Sequence, residues 1–232
     1  MMSTTNLVCF TGTPDRALRA EAELRRVGVA DTTRWWSFPN PFDRFILSRI
    51  PHTSQMDKNI GFFNCSRTHY RIIKTAYELG KDMVMICEDD VRFRKDITSI
   101  HGVIMDAPDF DVLLLDGIPP KKGIKTPLEE IKPGWSRFES MRSGACYVLS
   151  RMAMKRLIWL YESAIDQSVK NRKARICDQW FESSMLKGLS LVMATPNVAI
   201  QQTIPGKHNS GNAWRLAGYE TLGIDVNDYA EW

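Results

Sequence analysis

Apolar and polar positions follow two rhythms along this chain. Asn6 to Thr11 (NLVCFT) is a short apolar run ending at Gly12, which reads as a buried first strand running into a loop. A helix is predicted next. Thr13 suits its N-cap, Pro14 its first helical position, Leu18, Ala22 and Leu24 its apolar spacing, and Gly28 the position that closes it. Residues 29 to 60 carry Trp35, Trp36, Phe38, Pro39, Pro41 and Phe42 without a period, so irregular structure is expected, with room for one short strand. Asn64 to Leu79 predicts a second helix, with Cys65, His69, Ile72, Ile73 and Ala76 sharing a face and Gly80 as terminator.

Met83 to Cys87 (MVMIC) is a continuous apolar run between Asp82 and Glu88, the pattern of a strand buried on both faces of a parallel or mixed sheet. That places Glu88-Asp89-Asp90 at the strand's carboxyl end. Further strands are expected at Asp111 to Leu115 and Ala145 to Leu149, with Ser150 capping a helix from Arg151 to about Ser163. Ile118 to Phe138, rich in proline and carrying Lys121-Lys122, reads as a mobile surface loop suited to a substrate lid. A last helix is expected from Asp178 to Gly188, then a strand from Leu189 to Ala194, then an irregular polar tail from about residue 196. Strands alternating with helices predict one α/β domain spanning residues 1–232.

Composition supports a packed core: 44% of residues are hydrophobic and 25% charged, outside the range of chains that stay disordered. The net charge of +4 and pI near 8.8 permit an anionic surface as partner without requiring one, and nothing points to nucleic acid. Peripheral association with a membrane stays open on the same ground. Five cysteines, odd in number and without a CxxC pair, read as free thiols in a reducing compartment. The opening MMSTTNLVCF has neither a basic start nor an apolar core, so a cytoplasmic protein is expected.

Three adjacent carboxylates raise one another's pKa unless a cation neutralises them, and oxygen donors favour magnesium or manganese. In open α/β sheets ligands bind beyond the carboxyl ends of strands, where this triplet falls. The plainer reading is a solvated acidic turn paired with Arg92, Arg94 and Lys95. Asp109 and Asp111 precede their strand and fit a turn better than a metal site. His69, on an apolar helix face, reads as a structural histidine bonded to backbone or a carboxylate. Asp178 reads as a helix N-cap, or, near a sugar site, as a base.

The stretch FFNCSRTHYRIIKTAYELGKDMVMICEDDVRF resembles glycosyltransferase family 25, the lipopolysaccharide and collagen-type galactosyltransferases. The family's Cys and Ser/Thr-His pair opening a helix are matched by Cys65, Thr68 and His69, its closing Gly by Gly80, and its Glu-Asp-Asp-Val by Glu88 to Val91. DVLLLDG, SGACYVLSRMAMKRLI, CDQWF and PNVAIQQTIPGKHNS are similar to later family segments, so the resemblance covers most of residues 6 to 212. Phe10-Thr11-Gly12 departs from the family's Asn-Leu, and residues 30 to 60 have no counterpart.

The resemblance implies a GT-A-type fold, a Rossmann-like α/β/α sandwich with a mixed, mostly parallel sheet. It implies transfer of a sugar, galactose first, from a UDP-sugar donor to a glycan or glycolipid acceptor, with Mn2+ or Mg2+ and inversion at the anomeric carbon. In that site Asp90 holds the metal with Asp89 or Glu88 assisting, and His208 is a third metal contact. Arg16 and Thr11 join Glu88 and Asp89 at the donor, and Asp178 is the base. Two other readings stay open: a metal-dependent nucleotidyl- or phosphoryl-transfer enzyme, and a non-catalytic domain that binds sugar nucleotides.

Overall fold

The computed structural model describes residues 5–10, 14–29, 33–36, 56–119, 128–142, 145–171, 185–202 and 209–230. In chain order the strands are β1 (Thr5–Phe10), β2 (Thr33–Trp36), β3 (Met83–Glu88), β4 (Val91–Phe93), β5 (Val112–Leu114), β6 (Leu128–Lys132), β7 (Trp135–Phe138), β8 (Cys146–Ser150), β9 (Leu191–Ala194) and β10 (Ala199–Gln201). The helices are α1 (Pro14–Arg26), α2 (Met56–Glu78), α3 (Ile100–Asp106), α4 (Arg151–Asn171) and α5 (Asn209–Thr221).

Eight strands form one mixed sheet in the order β2-β1-β3-β8-β5-β9-β7-β6, and β4 pairs with β10 in a separate ribbon. β1 runs parallel to β2 and β3, and β5 to β9; the other four pairings in the large sheet are antiparallel, so the sheet is mixed and its pairings are not mostly parallel. Following these directions through β8, the strands β1, β3, β5 and β9 all point the same way. Their carboxyl ends therefore share one edge.

The pleat divides the core. Val84 and Ile86 of β3 pack with Ile72, Ile73 and Ala76 of α2 and Ala153 and Leu157 of α4, whereas Met85 and Cys87 pack with Leu24 of α1, Val27 just past it and Ile104 of α3. Successive side chains on a strand face opposite ways, so helices cover both faces and the Rossmann-like α/β/α sandwich follows. Gly28 and Gly80 close α1 and α2 at φ of +82° and +73°, a conformation that costs glycine little. Ser150 caps α4 as expected, its Oγ accepting from Ala153 N at 3.2 Å. Asp111 accepts from Ser150 Oγ and Ser190 N at the opposite edge from the triplet, partners distant in sequence, unlike the local backbone bond expected of a turn.

Several boundaries differ from expectation. Leu18 and Ala22 are exposed, and the buried apolar residues are Ala20 and Leu24 of α1 with Val27 just past its end. The second helix begins eight residues earlier than the apolar spacing indicated, and α4 runs past Ser163 to Asn171. Within the expected loop 118–138, β6 and β7 form a hairpin whose turn holds Pro133 and Gly134, the latter at φ +85°. The turn residues were legible but the strands were not, because β6 is a mostly exposed edge strand with no apolar alternation. Residues 185–188 form turns rather than the end of a helix, while Asp178 lies outside the described residues.

The polar tail beyond 196 is also structured, as β10, α5 and a short 3-10 turn at Val226–Asp228. Its helix escaped notice because α5 docks through a glycine: a Cβ on Gly218 would lie 3.0 Å from Ile118 Cβ. Gly218→Val is expected to lower stability by about 1–3 kcal/mol through this overpacking, measurable by urea unfolding. Among the described residues no helix is long and apolar enough to cross a membrane.

Candidate active site

The alternation that splits the core also splits the triplet. Glu88, in step with Val84 and Ile86, falls on the α2 side, where His69 Nε2 lies 3.2 Å from Glu88 Oε1. Asp89 falls on the α1 side, where Arg16 in that helix's first turn donates from Nη2 to Asp89 Oδ1 at 2.6 Å. The same Nη2 lies 3.2 Å from Asp90 Oδ2. The Asp89 side chain is 1% exposed, that of Asp90 15% and that of Arg16 29%. The triplet is thus mostly buried and tied to two helices, which sets aside the solvated turn.

Two residues without an expected role complete the surroundings. Tyr147 sits opposite Ile86 on β8, and its hydroxyl is 2.5 Å from His69 Nδ1. Gln201 comes from β10, which the ribbon with β4 brings beside the triplet; its Nε2 donates to Glu88 Oε2 at 2.9 Å and to Asp90 Oδ2 at 3.0 Å. The expected structural role of His69 is met, with a triplet carboxylate as its partner. Nothing in spacing alone gives either residue a role.

A further buried carboxylate stands at the same edge. Asp116, just past β5, accepts from Tyr219 OH at 3.0 Å and faces Asn197 Nδ2 at 3.4 Å. The Tyr219 hydroxyl in turn accepts from Gln201 N at 2.9 Å. Burial pushes the Tyr219 hydroxyl far above its ordinary range, and Asp116 adds to the shift. Helix α5 is thereby fastened to the strand that carries Gln201.

Asp90 is the electrostatic exception. Burial, then the negative charge of Glu88, pushes its pKa up to about 7, against the opposing pull of Arg16. Its Oδ1 is buried and has no hydrogen-bond partner among the described residues. Among the described residues no three His, Cys, Asp or Glu side chains are placed to form a metal cage. A cation held by one or two carboxylates and completed by phosphate oxygens and water, the usual habit of Mg2+, needs no such cage. Hard oxygen donors, a raised carboxyl pKa and an orphaned oxygen fit that kind of ion. Thr11, Asp178 and His208 lie outside the described residues.

No protein-family model matches the chain, and no curated sequence matches it. Among solved structures it is similar to a mannose-1-phosphate geranyltransferase from Thermus thermophilus, at 11% identity and a TM-score of 0.42 over 86% of this chain and 74% of that one. It is similar to A197 from STIV at 8% identity and a TM-score of 0.41, over 87% of this chain and 95% of that one. A glycosyltransferase involved in the glycosylation of the major capsid of PBCV-1 is similar at 10% identity and a TM-score of 0.39, over 94% and 98% of the two chains.

Proposed function

We propose that this chain is a metal-dependent glycosyltransferase of GT-A type, related to family 25, that moves a sugar from a nucleoside-diphosphate donor to a hydroxyl acceptor. The observation that carries this reading is Asp90, a carboxylate at the shared carboxyl edge of the sheet with its Oδ1 buried and, among the described residues, unpartnered. Arg16, Glu88 and Gln201 surround it, so the oxygen is left over for a ligand and not for the fold.

In this reading the donor is a UDP-sugar, UDP-galactose first, and the acceptor a glycan or glycolipid. Asp90 holds Mn2+ or Mg2+ with Asp89 beside it, and His208 is a further contact. When bound, the ion offsets negative charge on the departing diphosphate. Arg16 holds Asp89 in place and, with Thr11, contacts the donor. The acceptor oxygen bonds to the anomeric carbon as the bond from that carbon to the diphosphate breaks, with inversion. Asp178 takes the hydroxyl proton.

The test is a screen of UDP- and GDP-sugars for manganese-dependent hydrolysis or thermal stabilisation. Release of nucleoside diphosphate supports glycosyl transfer; release of nucleoside monophosphate with sugar phosphate would favour phosphoryl or nucleotidyl chemistry instead. Binding without any product would leave a sugar-nucleotide-binding domain. For the base, Asp178→Asn is expected to cut turnover while leaving the melting temperature nearly unchanged. A variant that keeps its rate but loses stability would reduce Asp178 to a helix cap.

A further inference from the structure

We infer that Glu88 is a positioning residue and not a metal ligand: with His69 and Tyr147 behind it and Gln201 in front, it holds Asp90 so that only Oδ1 is left for the ion. This rests on the metal-dependent reading above and adds a division of labour within the triplet.

Both Glu88 oxygens are engaged, Oε1 with His69 Nε2 at 3.2 Å and Oε2 with Gln201 Nε2 at 2.9 Å. The Gln201 amide has two N–H hydrogens; one serves Glu88 and the other Asp90 Oδ2 at 3.0 Å. Arg16 Nη2 lies 3.2 Å from that same Oδ2. One Asp90 oxygen therefore takes both the Gln201 hydrogen bond and the Arg16 ion pair, while Oδ1, also buried, has no hydrogen-bond partner among the described residues. Gln201 is itself held at its backbone, where its N–H bonds Tyr219 OH at 2.9 Å, and Gln202 N donates to the Asp90 carbonyl at 2.7 Å.

The chain of bonds also has a direction. An ionised Glu88 only accepts, so His69 carries its proton on Nε2, and Nδ1 then accepts from the Tyr147 hydroxyl 2.5 Å away. His69 is fully buried, so a Glu88 that swung to a metal would break its 3.2 Å contact with Nε2 inside the core. Glu88→Gln can keep every link by reversing it. The new amide donates to Nε2, its oxygen accepts from Gln201, the ring proton moves to Nδ1, and Tyr147 accepts.

The experiment titrates the full-length chain with Mn2+ alone and reads the His69 tautomer by 15N NMR. Expected are E88Q within about fivefold of the parent affinity, and E88A and Q201M weaker by about 10–100-fold, the usual cost of losing an outer-shell partner. D90N is expected to lose binding, and the His69 proton to move from Nε2 to Nδ1 in E88Q. If E88Q binds as poorly as D90N, Glu88 is a ligand and the inference falls. It also falls if Q201M binds like the parent, a comparison that stands if E88A fails to fold. Failure of the parent chain to bind Mn2+ counts against the metal-dependent reading. The tautomer, which needs no metal, then decides separately: a switch in E88Q upholds the bond chain and no switch overturns it.

Discussion

Asp90→Asn is expected to abolish metal-stimulated turnover of a sugar nucleotide while leaving the chain folded and, without metal, more stable above pH 7. The two halves of this result share a cause. A carboxylate surrounded by protein and by Glu88 is costly to ionise, and its pKa of about 7 lies above the ordinary 3.8. Between those values the folded chain binds more protons than the unfolded one, so stability falls as pH rises from about 4 to about 7 and is level beyond. Asn carries no charge and removes that slope. In a chain of this size each kcal/mol relieved raises the melting temperature by about 2–4 °C. Thermal scans of both proteins at pH 5 and pH 8, with assays at saturating Mn2+, check both halves. Near-normal, metal-stimulated turnover in the variant would sink the site.

Arg16→Met is expected to destabilise by about 2–3 kcal/mol and also to abolish donor binding. Breaking a fully buried ion pair costs about 3–5 kcal/mol, because one charge stays in the interior without its counterpart. Here Asp89 is 1% exposed but Arg16 is 29% exposed, so water moderates the loss. The variant removes the 2.6 Å bond to Asp89 and the 3.2 Å contact with Asp90 together. Urea unfolding at pH 7.5 reads the first effect and donor-induced thermal shift the second. A double variant with Asp89→Asn is expected to recover most of the stability and none of the binding. Unchanged stability in the single variant would mean that Asp89 finds its compensation elsewhere.

The triplet's place in the fold was legible because β3 is apolar at every position between two charged residues, a short run whose length and bounds suit a strand covered on both faces. The helix bearing His69 was legible for the complementary reason, an apolar stripe ending in Gly80. The partners of the triplet were not. Gln201 lies on a strand of three residues and Tyr147 inside a run that reads equally well as core.

What the amino-acid sequence determined by itself was the local order: buried strands, capped helices, and three carboxylates at a strand's end. These depend on neighbours within a few residues, and patterns of period 2 and 3.6 record them. Which side of the sheet each carboxylate faces, and what meets it there, was decided by tertiary structure. Glu88 meets a histidine 19 residues away, Asp89 an arginine 73 away and Asp90 a glutamine 111 away. No periodicity spans such distances. These encounters follow from strand order and from the packing of α1, α2 and the β4–β10 ribbon, because only there do buried charges find the donors that make their burial tolerable.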